Sequence, residues 1–282
     1  MTEWIETYRG VVNAWECDTV EHFTIAYYFD RFAAASPTLF ELIGEHESLE
    51  PAVVATPRRI YSTFTQELRA GAGFHMLSSV VGIDERVIRL GHQVVDSGSA
   101  QTVSWVMEEI PLPASATREL THRLESRALP WPGPKVPHPA AQPSGRGALT
   151  CRDRVKQREL DEGGKMSLSA HVHRFSAAGQ QFLSSIGMTG DYMHQSRRGY
   201  STLALDLRLE AVAQAGDRID VQTSIAHLGN TSLSYLHRMS RTDGREIASL
   251  LQVGVHLDLD ARRPTAMPPA IRDAIAELLS QS

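Results

Sequence analysis

The chain repeats itself, and a chain that repeats must fold its second half much as it folds its first. Residues 12–44, VNAWECDTVEHFTIAYYFDRFAAASPTLFELIG, lie without a gap over residues 155–187, VKQRELDEGGKMSLSAHVHRFSAAGQQFLSSIG. Identities include Glu16/Glu159, Asp18/Asp161, Arg31/Arg174, Phe32/Phe175, Ala35/Ala178 and Gly44/Gly187. Further on, PRRIYSTFTQELR (57–69) matches SRRGYSTLALDLR (196–208) at a shift four residues smaller, which reads as a loop deletion. Two ordered blocks at nearly one offset are the mark of a duplicated domain.

The length fits that reading: 282 residues are long for one domain and comfortable for two. Between the copies runs LPWPGPKVPHPAAQPSGRG (129–147), whose prolines cannot enter a helix interior or a central strand. It reads as an extended connector. The expected division is a first unit over 1–111, a Pro-rich linker over 112–148, and a second unit with a C-terminal helix over 149–282.

Inside each copy the period of the apolar residues names the elements. Ile25, Tyr28, Phe29, Phe32, Ser36, Leu39, Phe40 and Ile43 follow i, i+3, i+4, i+7 spacing, as do Leu168, Val172, Phe175, Gly179, Phe182, Leu183 and Ile186. Each set predicts one helix with a buried face, closed by Gly44 or Gly187. Pro37 should kink or restart the first helix. Strand-like runs follow at 59–68, 75–83, 86–95 and 101–110, then at 200–209, 218–226, 232–241 and 246–257, with turn signals such as DSGSA and TDGRE between them. The fold class expected is α+β: one long helix and about five antiparallel strands, twice.

Composition excludes several functions. A net charge of −5 gives no basic footprint for nucleic acid. Two cysteines, Cys17 and Cys151, form neither a disulfide framework nor a zinc motif. No apolar run approaches the roughly 20 residues of a membrane span. The polar, acidic N-terminus, MTEWIETYRG, lacks the apolar core of a signal peptide, so a cytoplasmic protein is expected.

The order of elements, together with Asp18, His22, Tyr27 and Phe32, resembles the hotdog fold, in particular the 4-hydroxybenzoyl-CoA thioesterase-like and acyl-CoA thioesterase families. Those families carry a strand ending in Asp, a D-x-x-G-H-x-N pattern, and a helix with Y-x-x-x-F. QELRAGA (66–72) and VHLDLDARRP (255–264) resemble later parts of the same proteins. The first copy has Glu21 where those families usually have Gly, and Thr24 where they often have Asn; the second keeps Gly164 but has Lys165 and Ser167 in place of His and Asn. The resemblance implies two tandem hotdog units paired face to face as an intrachain pseudo-dimer, with a cleft using Asp18 and a pseudo-equivalent one using Asp161. It also implies a thioester hydrolase acting on acyl-CoA or acyl-carrier substrates, with no other cofactor and no metal. Further association into a homo-oligomer stays open.

The residue types suit that chemistry. A helix N-terminus presents unpaired amide hydrogens and a partial positive charge. A thioester carbonyl docked there would have its developing oxyanion stabilised, by about 3 to 4 kcal/mol for a strong donor. Asp18, just ahead of the helix, is the expected nucleophile or general base, His22 its partner, and Asp161 its counterpart. Amides near Thr24 and Ile25 would form the oxyanion hole, and Tyr27 would line the substrate pocket. Arg58 and Arg59 suit CoA phosphates, against a plainer reading as solvated charge. For Asp18 the plainer reading is a helix cap or loop carboxylate. His92 and His237 occupy matched strand positions and read as structural. Two other functions compete: a hydratase or dehydratase of enoyl or 3-hydroxyacyl thioesters, and a non-catalytic acyl-thioester binding or assembly module.

Overall fold

The apolar stripe of the first copy forms one unbroken helix, α1 (Ile25–Leu42), and that of the second forms α4 (Leu168–Ser185). The computed structural model describes residues 3–18, 21–53, 55–84, 86–137 and 147–280, so residues 138–146 of the expected connector lie outside the described residues. The stripes face inward as their spacing requires: Phe29, Phe32 and Phe40 on α1, and Phe175 and Phe182 on α4, are almost wholly buried. Gly44 and Gly187 follow with φ of 73° and 94°, left-handed values that end a helix without a Cβ clash. Pro37 does not restart α1. The helix runs through it, because its packed face outweighs one missing amide donor.

The first half supplies β1 (Ile5–Val11), β2 (Arg58–Phe64), β3 (Gly73–Asp84), β4 (Val87–Asp96) and β5 (Thr102–Pro111), with α2 (His46–Val53) after α1. A helix absent from the sequence reading as a full element, α3 (Arg118–Arg127), opens the connector. The second half supplies β6 (Ala148–Arg154), β7 (Arg198–Leu209), β8 (Arg218–Leu228), β9 (Ser232–Arg241), β10 (Glu246–Asp258) and the short β11 (Arg263–Pro264). Its remaining helices are α5 (Gly190–Ser196) and α6 (Pro269–Ser280). The expected α+β class holds: these strands make one large antiparallel sheet, in the order β1-β3-β4-β5-β2-β7-β10-β9-β8-β6, with β11 beside β10.

The halves meet edge to edge rather than face to face. β2 pairs with β7 from Arg58/Leu209 to Thr63/Ala204, so the two sheets become one. Each would otherwise present an unpaired strand edge here, and pairing them satisfies both. Arg59 locks the seam, donating from Nε and Nη2 to Asp206 Oδ1 and Oδ2 at 2.8 and 2.9 Å. The main core runs across the seam, joining Phe29, Phe32 and Ile60 to Phe175, Leu205 and Leu207.

The two halves make corresponding hydrogen bonds, and these correct one sequence alignment. Phe23 N–H donates to Leu68 O and Met166 N–H to Ala213 O, both at 2.8 Å. Thr65 N–H donates to Val103 O, and Glu210 N–H to Ile247 O. Leu68 therefore corresponds to Ala213, not to Leu207 as the block 57–69 over 196–208 requires. The similarity of that block is out of structural register, because β7 (12 residues) extends well ahead of the part that matches β2 (7 residues). The doublets Arg58-Arg59 and Arg197-Arg198 are consequently not counterparts.

His92 and His237 do correspond. Each is fully buried and stacks on a helix phenylalanine, Phe32 at 6.2 Å and Phe175 at 5.6 Å between ring centroids. Each also bonds through Nδ1 to a strand hydroxyl, Ser78 or Thr223, at 2.7 Å.

Candidate active site

Asp18 and Asp161 shape the same turn. Oδ1 of Asp18 accepts the amide of His22 at 3.0 Å, and Oδ1 of Asp161 accepts that of Lys165 at 3.0 Å. In both turns the residue before the donor is left-handed: Glu21 at φ 64° and Gly164 at φ 73°. The glycine costs nothing there; Glu21 carries the strain of a Cβ in that region. Part of the role assigned to these carboxylates is thus local, holding the chain that enters each long helix.

The two helix entrances differ. Ser167 caps α4, its Oγ accepting the Ala170 amide at 3.2 Å, whereas the Thr24 side chain makes no capping bond on α1. Thr24's own amide is already given to Glu16 O at 2.8 Å, as Ser167's is to Glu159 O. Thr24 N–H therefore drops out of the expected oxyanion hole, and the donors at this end are those that follow, from Ile25 onward.

A cavity of about 220 Å³ opens at the start of α1. Asp18, His22, Ile25, Phe23, Tyr28 and Glu67 line it from the first half, and Tyr200, Thr202 and Leu259 are among its walls from the second. Glu67, within the QELRAGA stretch, stands with Oε2 3.3 Å from His22 Nε2. Arg262, from the turn between β10 and β11, ion-pairs with Glu67 and sits with a terminal nitrogen 3.4 Å from His22 Nε2. Burial lowers the His22 pKa, Asp18 and Glu21 raise it, and Arg262 and Arg69 lower it, for a net downward shift. A histidine so placed is neutral near pH 7 and able to take a proton.

A second, wider cavity of about 740 Å³ lies at the start of α4, lined by Asp161, Lys165, Ser167, His171, Arg58 and Asp30 among others. It has no histidine in the His22 position, and Val212 stands where the first has Glu67. Burial lowers the pKa of His171, whose Nδ1 meets Ser167 O at 2.8 Å.

The remaining nominated residues divide. Arg58 lines the Asp161 cavity, yet it is itself buried and paired with Glu108, a fully buried carboxylate that also meets Ser36 and His92. Arg59 is committed to Asp206 at the seam, which leaves the phosphate role without geometric support. Tyr27 is not among the residues lining either cavity; it packs edge-on against His173 of α4 at 5.2 Å and beside Phe23. Tyr28 and Tyr200 line the Asp18 cavity instead. Glu67 went unassigned in the sequence, and the Arg262-Arg263 doublet read as serving phosphates or an interface, since nothing local ties residues 45 and 240 positions away to His22; the fragment ELRAG was the one available signal for Glu67. Among the described residues no cluster of three or more potential metal ligands occurs, and no helix is long and apolar enough to cross a membrane.

Comparison with known proteins agrees with the resemblance. Residues 155–275 match the family model of the Thioesterase-like superfamily. The chain is 29% identical over 122 residues to an L-carnitine dehydrogenase/betainyl-CoA thioesterase of Agrobacterium fabrum, covering 43% of this chain and 25% of the relative. It is 30% identical over 134 residues to the protein of the same name from Ruegeria pomeroyi, covering 46% and 26%. The chain thus spans about a quarter of the length of these curated relatives. Two solved structures share the fold over most of both chains: a provisionally named oleoyl thioesterase from Lactobacillus plantarum (TM-score 0.70, 12% identity, 89% of this chain and 96% of that one) and the 12:0-ACP thioesterase of Umbellularia californica (TM-score 0.63, 9% identity, 92% and 96%). At those identities the likeness concerns the fold.

Proposed function

We infer that the chain is a thioester hydrolase with its active site at the start of α1, acting on an acyl-CoA or acyl-carrier thioester. One observation carries the reading: Asp18, His22 and Glu67 converge on a cavity at a helix entrance that its own N-cap side chain leaves open. The thioester carbonyl docks against the first amides of α1 from Ile25 onward. The Asp18–His22 pair activates a water, which attacks the acyl carbon; the oxyanion forms at the helix end, and collapse releases the thiol and the carboxylic acid. Naming of the two curated relatives as betainyl-CoA thioesterases supports a CoA thioester. We take the chain as two tandem hotdog units, 1–111 and 149–282, forming an intrachain pseudo-dimer by duplication; the shared turn and matched hydrogen bonds support this.

The Asp161 cavity reads differently. Lys165 replaces the histidine, and Ser167 occupies one of the donors at its helix entrance. We take it as a non-catalytic counterpart.

Thiol release from a panel of short, long, aromatic and charged acyl-CoAs tests the proposal. Asp18→Asn and His22→Gln should each lose about 10²-fold or more on the best substrate, the scale of general acid–base catalysis. Asp161→Asn should stay within about twofold of wild type, as a residue outside the reacting centre does. Equal losses at Asp18 and Asp161 would overturn the one-site reading. Consumption of crotonyl-CoA without thiol release would point to hydration instead.

A further inference from the structure

Both halves line the Asp18 cavity equally, but its carboxylates and its imidazole all belong to the first half, and they are reached from the second. β10 and β11 pair at Leu257/Pro264 and Asp258/Arg263, leaving a tight turn at 259–262. Asp258 Oδ1 accepts the amides of Asp260 and Ala261 at 3.1 and 2.8 Å, closing that turn. Leu259 N–H donates to Arg197 O at 2.9 Å, and Arg197 ion-pairs with Asp260 at 2.9 Å, tying the turn to β7. Arg262 ends it in the left-handed region, at φ 55°. That conformation is strained for a residue with a Cβ, so its neighbours must impose it. The outcome is a guanidinium delivered across the seam onto Glu67 and His22.

We propose that Arg262 is a positioning residue for His22, so that the second half's hairpin completes the first half's active site. The inference rests on the hydrolase reading for its consequence in rate, but not for the contact. Glu67 and Arg262 bracket one ring nitrogen of His22. Glu67 fixes the ring by accepting from Nε2, and Arg262 holds Glu67 in place. The other ring nitrogen is then the free acceptor, the form a general base needs.

Every charged group facing His22 bears on its titration. Asp18 and Glu21 lie on its own turn, Glu67 and Arg69 on the segment after β2, and Arg262 comes from across the seam. The carboxylates favour the imidazolium; the two arginines oppose it. Removing Arg262 tips this balance toward the imidazolium, and the base is then protonated at a higher pH than in the wild type.

The test reads the full-length protein in two ways. In the imidazole NMR titration, with His22→Gln assigning the signal, Arg262→Ala should move the His22 midpoint upward, and Arg262→Lys should largely restore it. In thiol release, Arg262→Ala should lose about tenfold in kcat at pH 6 and much less at pH 8, with KM little changed, since a proton on the base is what limits it. A His22 titration identical in wild type and Arg262→Ala overturns the inference whatever the activity. A shifted titration in a protein that releases no thiol from any acyl-CoA leaves the contact standing and removes the hydrolase reading.

Discussion

The Asp18 carboxylate holds the backbone of His22, and at the matching place Asp161 holds that of Lys165, so one hydrogen bond presents an imidazole in the first half and an ammonium in the second. Elsewhere single residues set the acid response of the whole chain. Burial lowers the His237 pKa to about 3, and burial likewise depresses those of His171, His173 and His256. An unfolded histidine titrates near 6.5, so unfolding takes up protons below that pH, and the stability these groups confer is complete only above it. Burial alone would raise the Glu108 pKa, but Arg58, His92 and Ser36 outweigh it and hold the carboxyl at about 2. Its contribution is present above about pH 4.5, the ordinary range of a glutamate, and fades as the pH falls toward 2. Urea midpoints should therefore drop already between pH 7 and 5, as the unfolding free energy falls by up to about 1.4 kcal/mol per pH unit for each histidine that is fully protonated only when unfolded, and they should fall further below 4.5. A midpoint that stays flat from pH 7 to 5 would show that these rings are not held neutral.

At the scale of elements, the two long helices and most strands were legible, because a period of 3.6 or 2 survives in the order of residues alone, whereas the short α2, α3 and α5 were not. Continuity of α1 through Pro37 was not: whether a proline breaks a helix depends on how much packing holds the turns on either side. The ends of the two long helices carry a direct comparison. Ser167→Ala removes a capping bond and should cost about 1 kcal/mol in chemical denaturation. Thr24→Ala removes no such bond and should cost clearly less, while leaving the entrance where the thioester carbonyl is proposed to dock. Equal costs would mean that Thr24 caps α1 in solution, and the case for an open helix end would fall with it.

Across the whole molecule the seam between β2 and β7 matters most, since one sheet and one core run through it. Cooperativity should follow. All four tryptophans, Trp4, Trp15, Trp105 and Trp131, precede residue 132, so indole fluorescence reports the first half and connector, whereas far-UV circular dichroism reports both halves. The two urea transitions should coincide. Separate midpoints would show that the halves unfold independently and that the seam adds little. Asp206→Ala, which removes the partner of Arg59 across the seam and leaves it only Glu109 and Pro137 O, should lower the stability read from the common transition by about 1–3 kcal/mol.

The order of residues alone determined the repeat, the two helices with their buried faces, the α+β class, and the presence of an acid and an imidazole ahead of the first helix. These are local facts, written within a few turns of chain. Tertiary structure alone decided which strand edges meet, which helix entrance stays open, and that Glu67 and Arg262 reach His22. The strand edges and the contacts to His22 depend on segments brought together over 45 to 240 positions, and the matching block at 57–69 and 196–208 shows how resemblance along the chain misleads once strands differ in length. Register and contact are set by hydrogen bonding and packing between distant segments, which no local pattern encodes.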